Sequence, residues 1–153
     1  MEKLLVVYKF GKRFDGKMSP KQGLDCYFLH ALGNDRKVLF TVDKAPRVDV
    51  MDYICGAILM TADGKAAIKA DVTAVGKFSV LSPPSDYLVP SVWNNECREK
   101  KCWFALHNLE KITISRGDFV TTGGKDLLDA MRGRGYMSYV YYEETSYEKS
   151  SIN

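Results

Sequence analysis

The sequence predicts an α+β fold: a strand-rich, partly closed antiparallel β-barrel with two or three helices packed on its outside. Three observations carry this expectation. Apolar residues make up 46% of the 153 positions and charged residues 27%, the balance of a chain that buries a core. Most apolar runs are short and bounded by Gly, Pro, Asp or Ser, as strands are, and few stretches have helical spacing. The strands do not alternate regularly with helices, which argues against a doubly wound parallel sheet, and short strands joined by hairpins favour a curled antiparallel one.

Lys3 to Phe10 is rich in Leu, Val, Tyr and Phe and is followed by a loop-like stretch from Gly11 to Gly16, so it reads as the first strand. From Pro20, with Ser19 as cap, Leu24, Tyr27, Phe28, Ala31 and Leu32 recur at helical spacing until Gly33. Lys37 to Val42 is a short apolar run, and Asp43 to Asp52 is a polar connection holding Pro46. Tyr53 to Thr61 and Ala66 to Val80 flank Ala62-Asp63-Gly64-Lys65, and Asp-Gly between apolar runs is a strong hairpin signal. Ser82 to Pro90 carries three prolines and reads as an exposed loop leading to Trp93. Cys102 to His107 and Lys111 to Ser115 read as two further strands, Lys125 to Arg132 as a short helix, and Met137 to Tyr142 as the last strand. Residues 1–142 then form one domain. Residues 143–153 read as a polar tail or a linker into a further domain.

Leu4-Leu5-Val6-Val7 is too short for the apolar core of a signal peptide, and no run approaches the roughly 18 apolar residues of a membrane-spanning helix. The expected location is cytoplasmic. In that compartment Cys26, Cys55, Cys97 and Cys102 are expected as thiols. A zinc site at Cys97, Cys102 and His107 is the alternative, but the cysteine spacing is wider than that of usual paired ligands.

Net charge is only +3, yet Arg98, Lys100, Lys101, Lys111, Arg116, Lys125, Arg132 and Arg134 gather in the second half, while Glu143, Glu144 and Glu148 load the tail. Basic residues with aromatics between them suit an anionic partner such as nucleic acid. Catalytic patterns are thinner. His30 lies in an apolar helix and His107 at the end of an apolar strand, positions suited to packing. Thr122-Gly123-Gly124-Lys125 lacks the first glycine and the final Ser or Thr of a phosphate loop. Asp63 with Lys65, or Asp71 with Lys69 and Lys77, could serve a nuclease, although the turn itself accounts for Asp63. Trp103, between Cys102 and Phe104, reads as core, whereas Trp93 stands among Ser91, Asn94, Asn95 and Glu96 as a loop anchor or a platform for an unpaired base.

The run Gly56 to Val75, then Val92-Trp93, then Cys102 to Ile112, followed by Thr121 to Met131 and Met137 to Tyr142, resembles the PUA-like superfamily, especially its YTH and EVE branches. The resemblance covers roughly residues 53 to 142 and is one of pattern. It implies a small barrel whose aromatic cage accepts a modified base, such as a methylated adenine or cytosine, in RNA or in flipped-out DNA. Trp93 matches the loop tryptophan of that cage. The early cage tryptophan of the YTH branch has no counterpart, so Tyr8, Tyr27 or Phe28 would substitute. Related EVE-like domains form the DNA-reading ends of modification-dependent restriction enzymes, an architecture with which a linker-like C-terminus is compatible.

The resulting expectation is a binding domain, not an enzyme, that needs no cofactor or metal. Its partner is nucleic acid, with Trp93, Tyr87, Asn94, Tyr27 and Tyr8 at the base and Arg98, Lys100, Lys101, Lys77 and Arg132 at phosphates. A small nuclease and a protein-interaction adaptor are the competing functions.

Overall fold

A computed structural model of the chain describes residues 2–11, 16–93, 100–133 and 135–142; of Trp93 it describes the backbone alone. The chain runs β1 (Leu4–Lys9), α1 (Pro20–Leu32), β2 (Lys37–Val42), α2 (Val48–Met51), β3 (Ile54–Met60), β4 (Ala67–Lys77), a 3-10 turn (Ser91–Trp93), β5 (Cys102–Ile112), α3 (Leu127–Ala130) and β6 (Met137–Tyr141). The class is α+β with strands dominant. The strands form one mixed sheet in the order β2-β5-β4-β3-β1-β6.

The antiparallel expectation needs one correction: β1 pairs with β3 in parallel, Val6 beside Ala57 and Tyr8 beside Leu59. A parallel neighbour requires a crossover, and α1, β2 and α2 supply it. The other ladders are antiparallel. β2 and β6 are the edges of the open order, so the sheet does not close into a barrel.

The sheet is nonetheless strongly curled. In a flat sheet β1 and β2 would stand about 19 Å apart, four strand spacings. Yet the Tyr8 and Phe40 ring centroids are 5.5 Å apart, and Phe10 stacks on Phe40 at 5.8 Å. The concave face therefore wraps an aromatic core, which α1 enters with Leu24, Tyr27 and Ala31. The other face buries Leu5, Val7, Ile58 and Met60 under Ile114, Leu127 and Met131. With both faces covered, β3 reads as a continuous apolar run, Ile54 to Met60.

Local chemistry accounts for the element ends. Ser19 Oγ accepts from Gln22 N and Gln22 Oε1 accepts from Ser19 N, a capping box with Pro20 in the first turn. In the β3–β4 turn the Asp63 carboxylate accepts from Thr61 Oγ1 and Lys65 N. Gly64 follows at φ +75°, and a Cβ there would lie 2.6 Å from Ile114 O, so both backbone and space demand glycine.

Three expectations on element boundaries change. Cys102 to Ile112 is a single strand, because Asn108, at φ +57°, forms a bulge against β4 between Lys69 and Asp71 instead of ending the strand. The polar stretch before β3 contains α2, whose four residues are too few to show helical periodicity. The Ser82 to Pro90 loop, expected to be exposed, turns inward at its centre: Tyr87 and Val89 are buried, and Leu88 O accepts from Leu39 N on the edge of β2.

Candidate functional site

A concavity of about 790 Å³ runs between the segment from Lys44 to Val50 and strand β6. That size is typical of small-molecule and cofactor sites. It occupies the seam left by the unclosed sheet. One wall is carried from the end of β2, and the other is the last strand with the Thr121-Thr122-Gly123 turn along part of its edge.

Strand alternation sets the chemistry of the β6 wall. Leu4 pairs with Tyr141 and Val6 with Tyr139, so Met137, Tyr139 and Tyr141 share the face of Leu4, Val6 and Tyr8. Tyr139 is half-buried, and burial raises its phenol pKa against the lowering effect of nearby Arg47. Tyr136 and Tyr141 are each 46% exposed. On the opposite wall Lys44 Nζ lies 5.3 Å from the Tyr136 ring centroid, a cation–π contact, and Arg47 Nε is 3.4 Å from Asp49 Oδ1 in an exposed pair. Tyr8 fixes this wall from beneath, its hydroxyl donating to Lys44 O at 2.8 Å.

Backbone polarity adds to the site. Lys9 N donates to Tyr136 O and Tyr142 N donates to Lys3 O, so the even-numbered residues of β6 turn their backbone groups to β1. Antiparallel alternation then points the N–H and C=O of Met137 and Tyr139 away from β1, along the edge that borders the groove. Thr122 N donates to Tyr139 O, which occupies that carbonyl and leaves the edge at Met137 facing the cavity.

The residues expected at a base are not together in this groove. Tyr8 is 4% exposed, Tyr27 2% and Tyr87 8%, and all three belong to the buried core. Tyr27 meets Phe10 and Phe40 edge-on, Tyr87 lies 3.1 Å from Thr73 Oγ1, and burial pushes the Tyr8 phenol far up. The side chain of Trp93, and Asn94, lie outside the described residues.

Of the residues expected at phosphates, three converge. Lys77 pairs with Cys102 in the ladder, Phe78 N donates to Lys101 O, and Lys101 N donates to Val42 O. Lys100 Nζ is 3.2 Å from Asp43 Oδ2 with its side chain 17% exposed. Asp43 immediately precedes Lys44, so this basic group adjoins the groove wall. Arg132 stands apart, paired with Asp129 at 3.0 Å and lining a shallow depression with Asp63 and Arg116; Arg98 lies outside the described residues.

Other candidate chemistry is accounted for locally. Asp71 accepts from Asn108 Nδ2. Among the described residues no three His, Cys, Asp or Glu side chains are placed to hold a metal. Cys102 and His107 are five residues apart on one strand, about 16 Å, too far to share a metal; Cys97 lies outside the described residues. Cys26 and Cys102 are free thiols, and burial pushes the Cys102 thiol up to about 11. His30 is half-buried on α1, and burial lowers its pKa. Among the described residues no helix is long and apolar enough to cross a membrane.

Lys44, Arg47, Tyr136, Tyr139 and Tyr141 are the site residues that sequence reasoning missed. The available signal was four tyrosines among residues 136 to 142. Fold and site together define a curled α+β sheet with an aromatic, basic groove at its open seam. No protein family, curated protein or solved structure matches the chain.

Proposed function

We propose that this chain is a nucleic-acid reader that holds one base, methylated or otherwise modified, against aromatic rings while lysines meet the adjoining phosphates. The convergence of Lys77, Lys100 and Lys101 beside the Lys44–Arg47 segment carries the reading, because it brings cations from three parts of the chain to one region next to exposed tyrosines. Such a group attracts a polyanion, and the rings offer stacking surfaces that every base can use. A PUA-like fold, with this curled but unclosed sheet as its partly closed barrel, belongs to the same proposal, supported by the curl and by the position of Trp93 on the loop after β4.

Trp93→Ala tests the base contact. A stacking tryptophan should cost about 1–3 kcal/mol of binding while the protein melts as before. A core tryptophan would instead cost roughly 3–5 kcal/mol of stability. A normally melting variant that binds modified and unmodified oligonucleotides as the parent does removes Trp93 from the base site. In parallel, Lys77→Ala with Lys101→Ala should weaken all sequences alike and flatten the salt dependence, since phosphate contacts carry no sequence information. An unchanged salt slope removes these lysines from the interface.

A further inference from the structure

At the end of β4 remote from Lys77 we infer a second binding site, independent of the seam: a cleft rimmed by Lys21, Lys65 and Lys111 that takes a phosphate monoester.

The cleft, about 260 Å³, opens between the first turns of α1 and the end of the β4–β5 ladder, where Ala67 pairs with Ile112 and Ile68 with Lys111. Ile68 on its wall precedes Lys77 by nine residues of β4, roughly 30 Å of strand, so one small ligand cannot reach both basic groups. The floor is apolar: Leu24, Ala67 and Ile68 are all buried. The three lysines come from α1, the β3–β4 turn and β5.

Two of them are held in place. Asp25 Oδ2 is 3.1 Å from Lys21 Nζ and Asp25 Oδ1 is 3.4 Å from Lys111 Nζ, so one carboxylate draws ammonium groups from two elements to one point. Lys111 Nζ also lies 4.8 Å from the Phe28 ring centroid, a cation–π contact. Burial raises the Asp25 pKa, but Lys21 and Lys111 outweigh it and hold the carboxyl below its ordinary value, so the brace stays charged at neutral pH.

Charge selects the ligand. Three ammonium groups face one carboxylate, and the neighbouring acids are turned elsewhere. Asp63 accepts from Thr61 Oγ1 and Lys65 N and lines the depression with Arg116, while Glu110 alternates to the other face of β5 from Lys111. Two positive charges are left over. A phosphate monoester carries about −1.5 to −2 near neutral pH and matches that excess, whereas each internal phosphate of a nucleic acid carries a single charge. The apolar floor lowers the local dielectric and strengthens the attraction. Volume agrees: the cleft falls just below the roughly 300 Å³ at which sites for whole small molecules begin, which suits a phosphate group and the atoms beside it.

Such a group comes from the 5′ end of a nucleic acid or from a free sugar phosphate, and titration calorimetry of the full chain separates them. The probes are inorganic phosphate, ribose 5-phosphate, and one hexanucleotide with and without its 5′-phosphate. Lys65→Ala and Lys111→Ala should each weaken the bound ester by about fivefold or more with unchanged melting, whereas Lys125→Ala, outside the cleft, should bind as the parent does. If Lys111→Ala does not fold, Lys65, exposed in its turn, decides alone. A hexanucleotide that binds better with its 5′-phosphate, by a margin that Lys65→Ala abolishes, identifies the nucleic-acid end. Ribose 5-phosphate binding without that margin identifies the free ester. Binding of inorganic phosphate alone, binding of either ester undiminished in Lys65→Ala, or no binding of any probe overturns the site. Lys77→Ala with Lys101→Ala should leave ribose 5-phosphate affinity unchanged, so failure of the seam reading and failure of the cleft are read separately.

Discussion

Trp103→Ala is expected to destabilise the protein by about 3–5 kcal/mol, measured by chemical or thermal unfolding. The side chain is 1% exposed, belongs to the buried core on β5, and donates from Nε1 to Leu81 O at 2.9 Å. Most of the cost is the cavity left by the indole. Leu81 is exposed, so its carbonyl can recover a bond to water and the lost hydrogen bond should add only about 1 kcal/mol. Gly76 makes the assignment sharper. A Cβ at that position would lie 2.8 Å from Trp103 Cζ2, so the indole occupies the space that the glycine leaves free. Gly76→Ala should therefore be costly in the parent and markedly cheaper in a Trp103→Phe background, a coupling readable in a double-mutant cycle. Additive costs would show that the indole and Gly76 are independent.

The core status of Trp103 was legible because its neighbours Cys102 and Phe104 are apolar and β5 is an apolar run. The β3–β4 hairpin was legible for a similar reason, since Asp63 and Gly64 carry the turn chemistry in adjacent positions. The pairing of β1 with β3 was not. Tyr8 meets Leu59 across some fifty residues of sequence, and local pattern has no reach over such a distance. Nor could Asn108 be told from a strand terminator, because a left-handed asparagine looks alike in a turn and in a bulge.

The site was less legible than the fold. Its walls come from residues 44 to 50, 121 to 123 and 135 to 141, three segments that become a groove only once the sheet curls and stops short of closure. Tyr8, Tyr27 and Tyr87 looked as suitable for a base as Tyr136 and Tyr141, because composition cannot say which rings face the core. Alternation along β1 was the available clue for Tyr8: it shares the face of Val6 in a strand apolar on both faces, whereas β6 mixes its tyrosines with Ser138.

Phe40→Ala should match Trp103→Ala in cost, about 3–5 kcal/mol, but with a different distribution over the structure. Phe40 is the hub of the aromatic core, with ring centroids of Tyr8, Phe10, Tyr27 and Phe104 between 5.5 and 6.1 Å away. Of these, the pairs with Tyr8 and Tyr27 are edge-to-face and the pair with Phe10 is stacked, geometries that add about 0.5–1.5 kcal/mol each beyond their buried area. Because β1 and β2 share no ladder, the contact of Phe40 with Tyr8 and Phe10 is what draws these strands together. The connection that bridges them depends on the same ring, since Tyr8 also holds Lys44 O. Removing Phe40 should therefore loosen the Lys44–Val50 wall of the groove in addition to lowering global stability. Amide exchange at Val50 and Tyr53, whose N–H groups donate to Arg47 O and Val50 O, should accelerate more in Phe40→Ala than in Leu127→Ala, a core truncation on the opposite face. Equal acceleration in the two variants would mean that the aromatic core does not hold the seam.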